Sequence, residues 1–378
     1  MSVKKVVIIG GGITGSVLAL DLKQRGIRPI LVEISPSWDA LGHGITIQGN
    51  LLRAFQRVGV AQAIIDGGFP YDGFATRAPD GTLLDSVDSV PLGGPDLPPS
   101  VGALRSFVQS VLSRAVVAAG IEVRLGTTVT SITDVDDGVE AVLSDGTVER
   151  ADVLVGADGV RSCVRPMLGI QATPAPVGMA IWRVVADRPD DLDRTNLFFG
   201  GPRYVAGLCP ISSDQLYGYV VDEDVRRSRS EGPAFHEVLR ERMTGYCSWW
   251  EAIRSGVGPG SSIDYRSLEL MLVDDPWFRG RSIVIGDAAH VCPPMLAQGA
   301  AMGAEDAVVL AECLDLEVDV PEMFSRFMAR RLPRVRKVVD LSMEVARREL
   351  HGATAASEIE ENVERTMAEA MLMLCEAP

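Results

Sequence analysis

Three glycines and one carboxylate near the start of the chain carry the first recognisable chemistry. In "KKVVIIGGGITGSVLALDLKQRGIRPILVEIS", residues 4–35, Gly10, Gly12 and Gly15 stand at G-x-G-x-x-G spacing after the β-branched run Val6 to Ile9. The pattern predicts a strand, a tight turn, a helix from Ile13 to Arg25 and a second strand over Ile30 to Val32. Gly10 permits the turn, Gly12 lets backbone amides approach a pyrophosphate, and Gly15 lets the helix lie against the strand. Ile13 and Thr14 open that helix, whose free N–H groups and positive dipole end would meet the phosphates. Glu33 ends the second strand about 20 residues on, where a carboxylate accepts ribose hydroxyls and repels a 2′-phosphate. FAD or NAD fits this loop, and NADP does not.

Two further acidic turns follow apolar runs. "VLVGADGVRSCVR", residues 153–165, places Asp158-Gly159 at a strand end, with Arg161, Ser162 and Arg165 in the turn beyond. "SIVIGDAAHVCPPMLAQGAAMGAEDA", residues 282–307, places Gly286-Asp287 at another strand end, then Pro293-Pro294, then Gln298-Gly299 opening a helix. Such turns either cap helices or, at the carboxyl edge of a parallel sheet, face a ligand.

The elements that must position these residues divide by texture. Arg105 to Ala119 repeats apolar residues at helical spacing, and "VEAVLSDGTVER" is a hairpin around Asp145-Gly146. From about 171 to 275, stretches such as "GMAIWRVVAD" and "QLYGYVVDED" alternate as antiparallel strands, broken by one helix over Pro233 to Met243. The last hundred residues are helical: Gly299 to Leu314, Pro321 to Leu350, and a tail whose Ile359, Val363, Met367, Met371 and Leu374 share a face. The expected architecture is α/β, a Rossmann-like nucleotide-binding domain split over 1–72, 101–170 and 276–350. A mainly antiparallel β-sheet substrate domain, 73–100 and 171–275, is inserted, and 351–378 is a C-terminal helix.

Composition narrows the function. The formal net charge of −15 argues against nucleic acid or an anionic membrane surface as partner. Six scattered cysteines without a C-x-x-C pair and four histidines without H-x-x-x-H spacing suggest neither a disulfide framework nor a metal centre. No run approaches membrane-spanning length and no signal peptide is evident, so a cytoplasmic monomer or homodimer is expected. Redox chemistry, if present, must come from an organic cofactor.

Taken in order, the glycine loop, "ADG" and "GDAAH…PP…AQGA" resemble the single-component FAD monooxygenases of the p-hydroxybenzoate hydroxylase type, over nearly the whole chain. The resemblance implies that Gly10, Gly12, Gly15 and Glu33 hold the ADP half of FAD, and that Arg105 contacts the cofactor near its phosphates and ribityl chain. It implies that Asp158 and Gly159 serve FAD and the docking of NADH or NADPH, and that Asp287 binds the ribityl hydroxyls. Pro294, Gln298, Gly299 and Ala300 would line the flavin ring, where a helix N-terminus stabilises the anion of reduced flavin. The implied reaction spends NAD(P)H and O2 on hydroxylating a small aromatic or N-heteroaromatic substrate through a flavin hydroperoxide. His43, near the expected ring position, and Tyr217, Tyr204 and Cys209 in the inserted sheet are candidates to activate the substrate. Trp182, in the resembling "WR" strand, is expected in the core. Where the family commonly has a glycine pair before the glutamine and an asparagine after it, this chain has Leu296-Ala297 and Met302. A dehydrogenase or reductase without oxygen transfer, or a non-catalytic FAD-binding protein, would share the FAD motifs. A halogenase would carry W-x-W-x-I-P, which is absent.

Overall fold

The computed structural model of the protein describes residues 3–38, 43–225, 234–274, 276–350, 365 and 368–378. Its first sheet has six strands in the order Phe278–Arg279, Ser282–Val284, Val153–Gly156, Lys5–Ile9, Arg28–Glu33, Glu122–Leu125. Neighbours run parallel except at the Phe278–Arg279 edge, which turns back on Ser282–Val284. Helices and the three-stranded antiparallel sheet Val129–Val135, Gly138–Leu143, Val148–Ala151 pack on this sheet, so the central strands read as unbroken apolar runs; Val6, Val7, Ile8 and Ile9 are all fully buried.

Register makes the site. Ile9 lies opposite Gly156, and Gly156 opposite Val284. Three loops far apart in sequence therefore leave one sheet edge side by side. The helix Ile13–Gln24 can follow its strand so closely because a Cβ at Gly15 would lie 1.9 Å from the Gly10 carbonyl oxygen, while Gly10 turns the chain at φ +109°.

The inserted unit is an eight-stranded sheet in the order His290–Val291, Ile263–Leu272, Ala175–Asp187, Gln215–Glu223, Val205–Pro210, Thr195–Phe198, Gly73–Arg77, Leu83–Asp88. Pairing is antiparallel with one exception. Thr195–Phe198 runs parallel to Gly73–Arg77, because strands this distant in sequence are not bound by a hairpin to reverse direction. His290–Val291, just past Asp287, joins this sheet and ties it to the first. A small antiparallel sheet, Gly44–Gln48, Ser100–Leu104 and Phe69–Tyr71, sits between them.

The helix expected over Pro233 to Met243 spans Phe235–Arg242, Pro233 itself lying outside the described residues. A second short helix, Trp249–Gly256, stands where the sequence reading continued the sheet. Eight residues are too few for a period to show; Trp250, fully buried against Phe198 and Tyr246, fixes it from the tertiary side. Trp182 is a core residue, packed on Phe235 and Tyr265.

The helices Gly299–Leu314 and Val320–Leu350 are joined by buried charge. Arg331 donates from Nε to Asp306 Oδ1 at 2.7 Å and from Nη1 to Glu305 Oε2 at 2.8 Å, and Arg334 grips the same Glu305. Burial alone would raise both carboxyls, but the guanidiniums, and His290 beside Asp306, hold them below their ordinary values. Of the C-terminal tail, Ala370 and Leu374 are buried; Ile359, Val363 and Met367 lie outside the described residues. No helix among the described residues is long and apolar enough to cross a membrane.

Candidate active site

A cavity of about 1250 Å³ opens between the shared sheet edge and the large sheet. Gly12, Ile13 and Thr14 reach its wall from the glycine loop, whereas Gly10, Gly15 and Glu33 stand behind and shape that loop. A Cβ added at Gly12, Gly159 or Gly299 would meet nothing within 4 Å, so each leaves room for a ligand to touch backbone. Among the described residues no side chain caps the helix Ile13–Gln24 or the helix Gly299–Leu314, which leaves both N-terminal sets of N–H groups open. Glu33 accepts the Gly11 N–H at Oε2, 2.7 Å, and the Ser35 N–H at Oε1, 2.8 Å. A carboxylate has lone pairs beyond these two, so it can still accept ribose hydroxyls. Trp38, which the sequence did not single out, donates Nε1 to the Gly11 carbonyl at 2.8 Å.

Asp158 has two fates. Its Oδ2 takes the N–H groups of Cys163 and Val164, at 2.7 and 3.1 Å, which start the helix Val164–Met167. Its Oδ1 is buried without a partner among the described residues. Arg165 is structural, donating to the carbonyls of Ala172, Ala288 and Val160 and so locking this turn to the Asp287 turn.

Arg105 and Asp287 line the cavity as a facing pair of charges. Both side chains keep exposed surface, and both line the cavity that the protein forms around them. Burial lowers the Arg105 pKa and raises that of Asp287, while each charge opposes the other's shift. Thr14 packs its hydroxyl against Gly286 and Gly303, clamping the glycine-loop helix to the Asp287 turn.

Pro294, Gly299 and Ala300 line the cavity, but the Gln298 side chain does not. It is fully buried, accepting from Asn50 Nδ2 at 2.8 Å and donating to Gln48, so it braces the wall from behind. Asn50 in turn donates to Glu305, which links Gln298 to the buried ion network. Ala297, at φ +51°, holds a left-handed turn where the resembling family has glycine.

His43 and Tyr217 also line the cavity, the Tyr217 ring lying against Gly44. His43 Nε2 lies 3.0 Å from the Ser262 carbonyl, which only accepts, so Nε2 carries the hydrogen and Nδ1 is a bare lone pair. That Nδ1 is buried and has no partner among the described residues. Burial pushes the imidazole below its usual pKa, which keeps it neutral. Tyr217 shares a hydrogen bond with Thr46 Oγ1 at 3.1 Å, Tyr71 donates to the same oxygen at 3.4 Å, and Thr195 joins Tyr71 to Cys209. Cys209 lines the cavity with them, while Tyr204 packs in an apolar cluster with Met179 and Val205 instead. Arg183 and Arg266 share Asp264 at the same wall. Tyr71, Thr195 and Asp264 carry no local signal; only strand pairing brings them here.

The family model for the FAD binding domain matches residues 4–342. The chain is 32% identical to the putative FAD-dependent monooxygenase YetM of Bacillus subtilis (strain 168), over 94% of this chain and 96% of that protein. It belongs to the single-component FAD-dependent aromatic monooxygenases. FAD is accordingly the cofactor of this monooxygenase, and the open glycines and uncapped helix ends that line the cavity fit it. The 2-heptyl-3-hydroxy-4(1H)-quinolone synthase of Pseudomonas aeruginosa (strain PAO1) is 32% identical to the monooxygenase, over 88% of this chain and 87% of that one. Klebsiella pneumoniae HpxO, solved with FAD and uric acid, shares its fold: TM-score 0.85 and 23% identity, over 99% of this chain and 97% of that one.

Proposed function

We propose that this monooxygenase uses NAD(P)H and O2 to hydroxylate a hydroxyl-bearing aromatic or N-heteroaromatic ring in the cavity wall shared by His43 and Tyr217. The supporting observation is the bare, buried Nδ1 of neutral His43 in the same cavity as the glycine loop, Arg105 and Asp287. FAD, when bound, supplies the redox chemistry: one oxygen atom of O2 enters the ring and the other leaves as water, NAD(P)H providing the electrons.

The chain supplies the rest. Gly12, Ile13, Thr14 and Gly159 offer backbone to the pyrophosphate, Glu33 holds the ribose, and Arg105 and Asp287 hold the phosphate and ribityl region. Pro294, Gly299 and Ala300 shape the ring end, with amides that favour negative charge there. His43 accepts the proton of the substrate hydroxyl at Nδ1, while Ser262 fixes the ring's orientation through Nε2. Tyr217 is held by Thr46 as a neutral phenol, its pKa pushed well up by burial, and orients the substrate as a hydrogen-bonding group. The aromatic and aliphatic walls exclude water, which protects the oxygen transfer.

The test is substrate-stimulated NAD(P)H oxidation with O2 uptake and product mass. Gain of one oxygen by the product supports the reading. Consumption of NAD(P)H without oxygen uptake assigns a reductase, and no consumption with any ring tested assigns a binding protein.

A further inference from the structure

Along the strand Gln215–Glu223 the cavity wall runs from Tyr217 to Tyr219 and Val221, and meets the last turn of the helix Val320–Leu350. That turn brings Glu349 to the wall. The helix residues that flank it, Ala346 and Leu350, pack in one apolar cluster with Ile181, Val205 and Val221. Glu349 is thus a carboxyl at the edge of an apolar cluster, within electrostatic reach of Tyr219. Its Oε2 is buried and meets no hydrogen-bond partner among the described residues. Buried polar atoms are rarely left unsatisfied, because desolvation without a new hydrogen bond is costly. None of the FAD contacts or the His43 relay uses this group.

We infer that Glu349 is a substrate-recognition residue that accepts a hydrogen bond from the ring N–H of an N-heteroaromatic substrate. The inference rests on the reading that the cavity holds an aromatic ring for hydroxylation. Two observations select a neutral N–H over a charged amine. The surroundings are apolar, and burial pushes the Glu349 pKa up to about 8, so a proton is largely retained at neutral pH and no full charge awaits a cation. A protonated carboxyl still has acceptor capacity for a ring N–H. A ring hydroxyl is served by His43 at its own wall, which leaves the N–H as the donor that separates an N-heteroaromatic from a phenol of the same size.

The test uses the FAD-loaded, oxidised protein without NAD(P)H, titrated by calorimetry with 4(1H)-quinolone and with chromone, which has ring oxygen in place of N–H and nearly the same shape. The wild type binds the quinolone at least ~10-fold more tightly than chromone. Glu349→Leu brings the two affinities within ~2-fold of each other. Glu349→Gln retains part of the preference, because its amide oxygen still accepts, and it guards against a folding defect in the leucine variant; FAD content is read in parallel. An unchanged preference in Glu349→Leu, no preference in the wild type, or an equal loss of 1-naphthol binding in Glu349→Leu overturns the inference. Oxygen insertion by a wild type that does not discriminate the two rings removes the Glu349 assignment and leaves the hydroxylase reading standing. Failure to bind any of the three rings removes the inference together with its substrate class, and failure to oxygenate any ring after binding them removes the hydroxylase reading alone.

Discussion

Asp306 Oδ2 accepts the backbone N–H of Gly286 at 2.9 Å, so a carboxylate inside one helix holds the turn that presents Asp287 to the cavity. The same oxygen meets His290 Nε2 at 2.7 Å, and Oδ1 is gripped by Arg331. A buried ion cluster thus fixes the flavin-side turn without touching the cavity.

Arg331→Met removes the cation and leaves Glu305 and Asp306 buried with less compensation. We expect a loss of about 3–5 kcal/mol in denaturant unfolding. The pH dependence follows from the lowered carboxyl values. The unfolded chain binds protons first, so the stabilisation is complete above the ordinary values of 4.5 and 3.8 and is lost as pH falls through the lower folded values. The variant should show a shallower acid slope, and an equal slope would remove this account.

The two glycines flanking the turn should separate folding from cofactor binding. Gly15→Ala drives a Cβ to 1.9 Å from a backbone oxygen and should cost more than ~2 kcal/mol of stability. Gly12→Ala meets open space at φ −72° and should change stability by less than ~0.5 kcal/mol while weakening FAD binding. Thermal unfolding of the FAD-free proteins and FAD titration read the two effects, and tight FAD binding by Gly12→Ala would contradict the pyrophosphate assignment.

His43→Asn keeps a polar side chain but loses the imidazole lone pair. The turnover number should fall ~10²–10⁴-fold. Because burial disfavours the imidazolium, the working neutral form persists below the ordinary value of 6.5, so the acid limb of kcat/KM in the wild type lies below pH 6.5. Absence of that limb in the wild type, or its persistence unchanged in His43→Asn, would rule out the proton-acceptor role.

Ala297 occupies a left-handed turn at φ +51° in the cavity wall. Ala297→Gly relieves a strain of about 1 kcal/mol and should raise the unfolding midpoint or leave it unchanged. A marked drop in the midpoint would show that the alanine methyl is needed for packing.

The sequence by itself determined the nucleotide-binding half, because its demands are local: a glycine where φ is positive, a small residue where helix and strand touch, an apolar run where a strand is covered on both faces. Those demands made Gly10, Gly15 and the strands around Val6 and Val153 legible, and made the family recognisable from ordered motifs. Tertiary structure alone decided what those residues face. Gln298 reads as a ring contact in its motif, yet pairing with Asn50, 248 residues away, turns it inward. Thr46, Tyr71 and Thr195 come together only because three strands without mutual sequence pattern share a wall, and the helix Trp249–Gly256 exists because Trp250 finds a core. The parallel pairing of Thr195–Phe198 with Gly73–Arg77, and the Glu349 Oε2 that meets no partner among the described residues, belong to the same class. Local patterns encode backbone conformation and burial, whereas the chemistry of a cavity depends on which distant side chains end on the same surface.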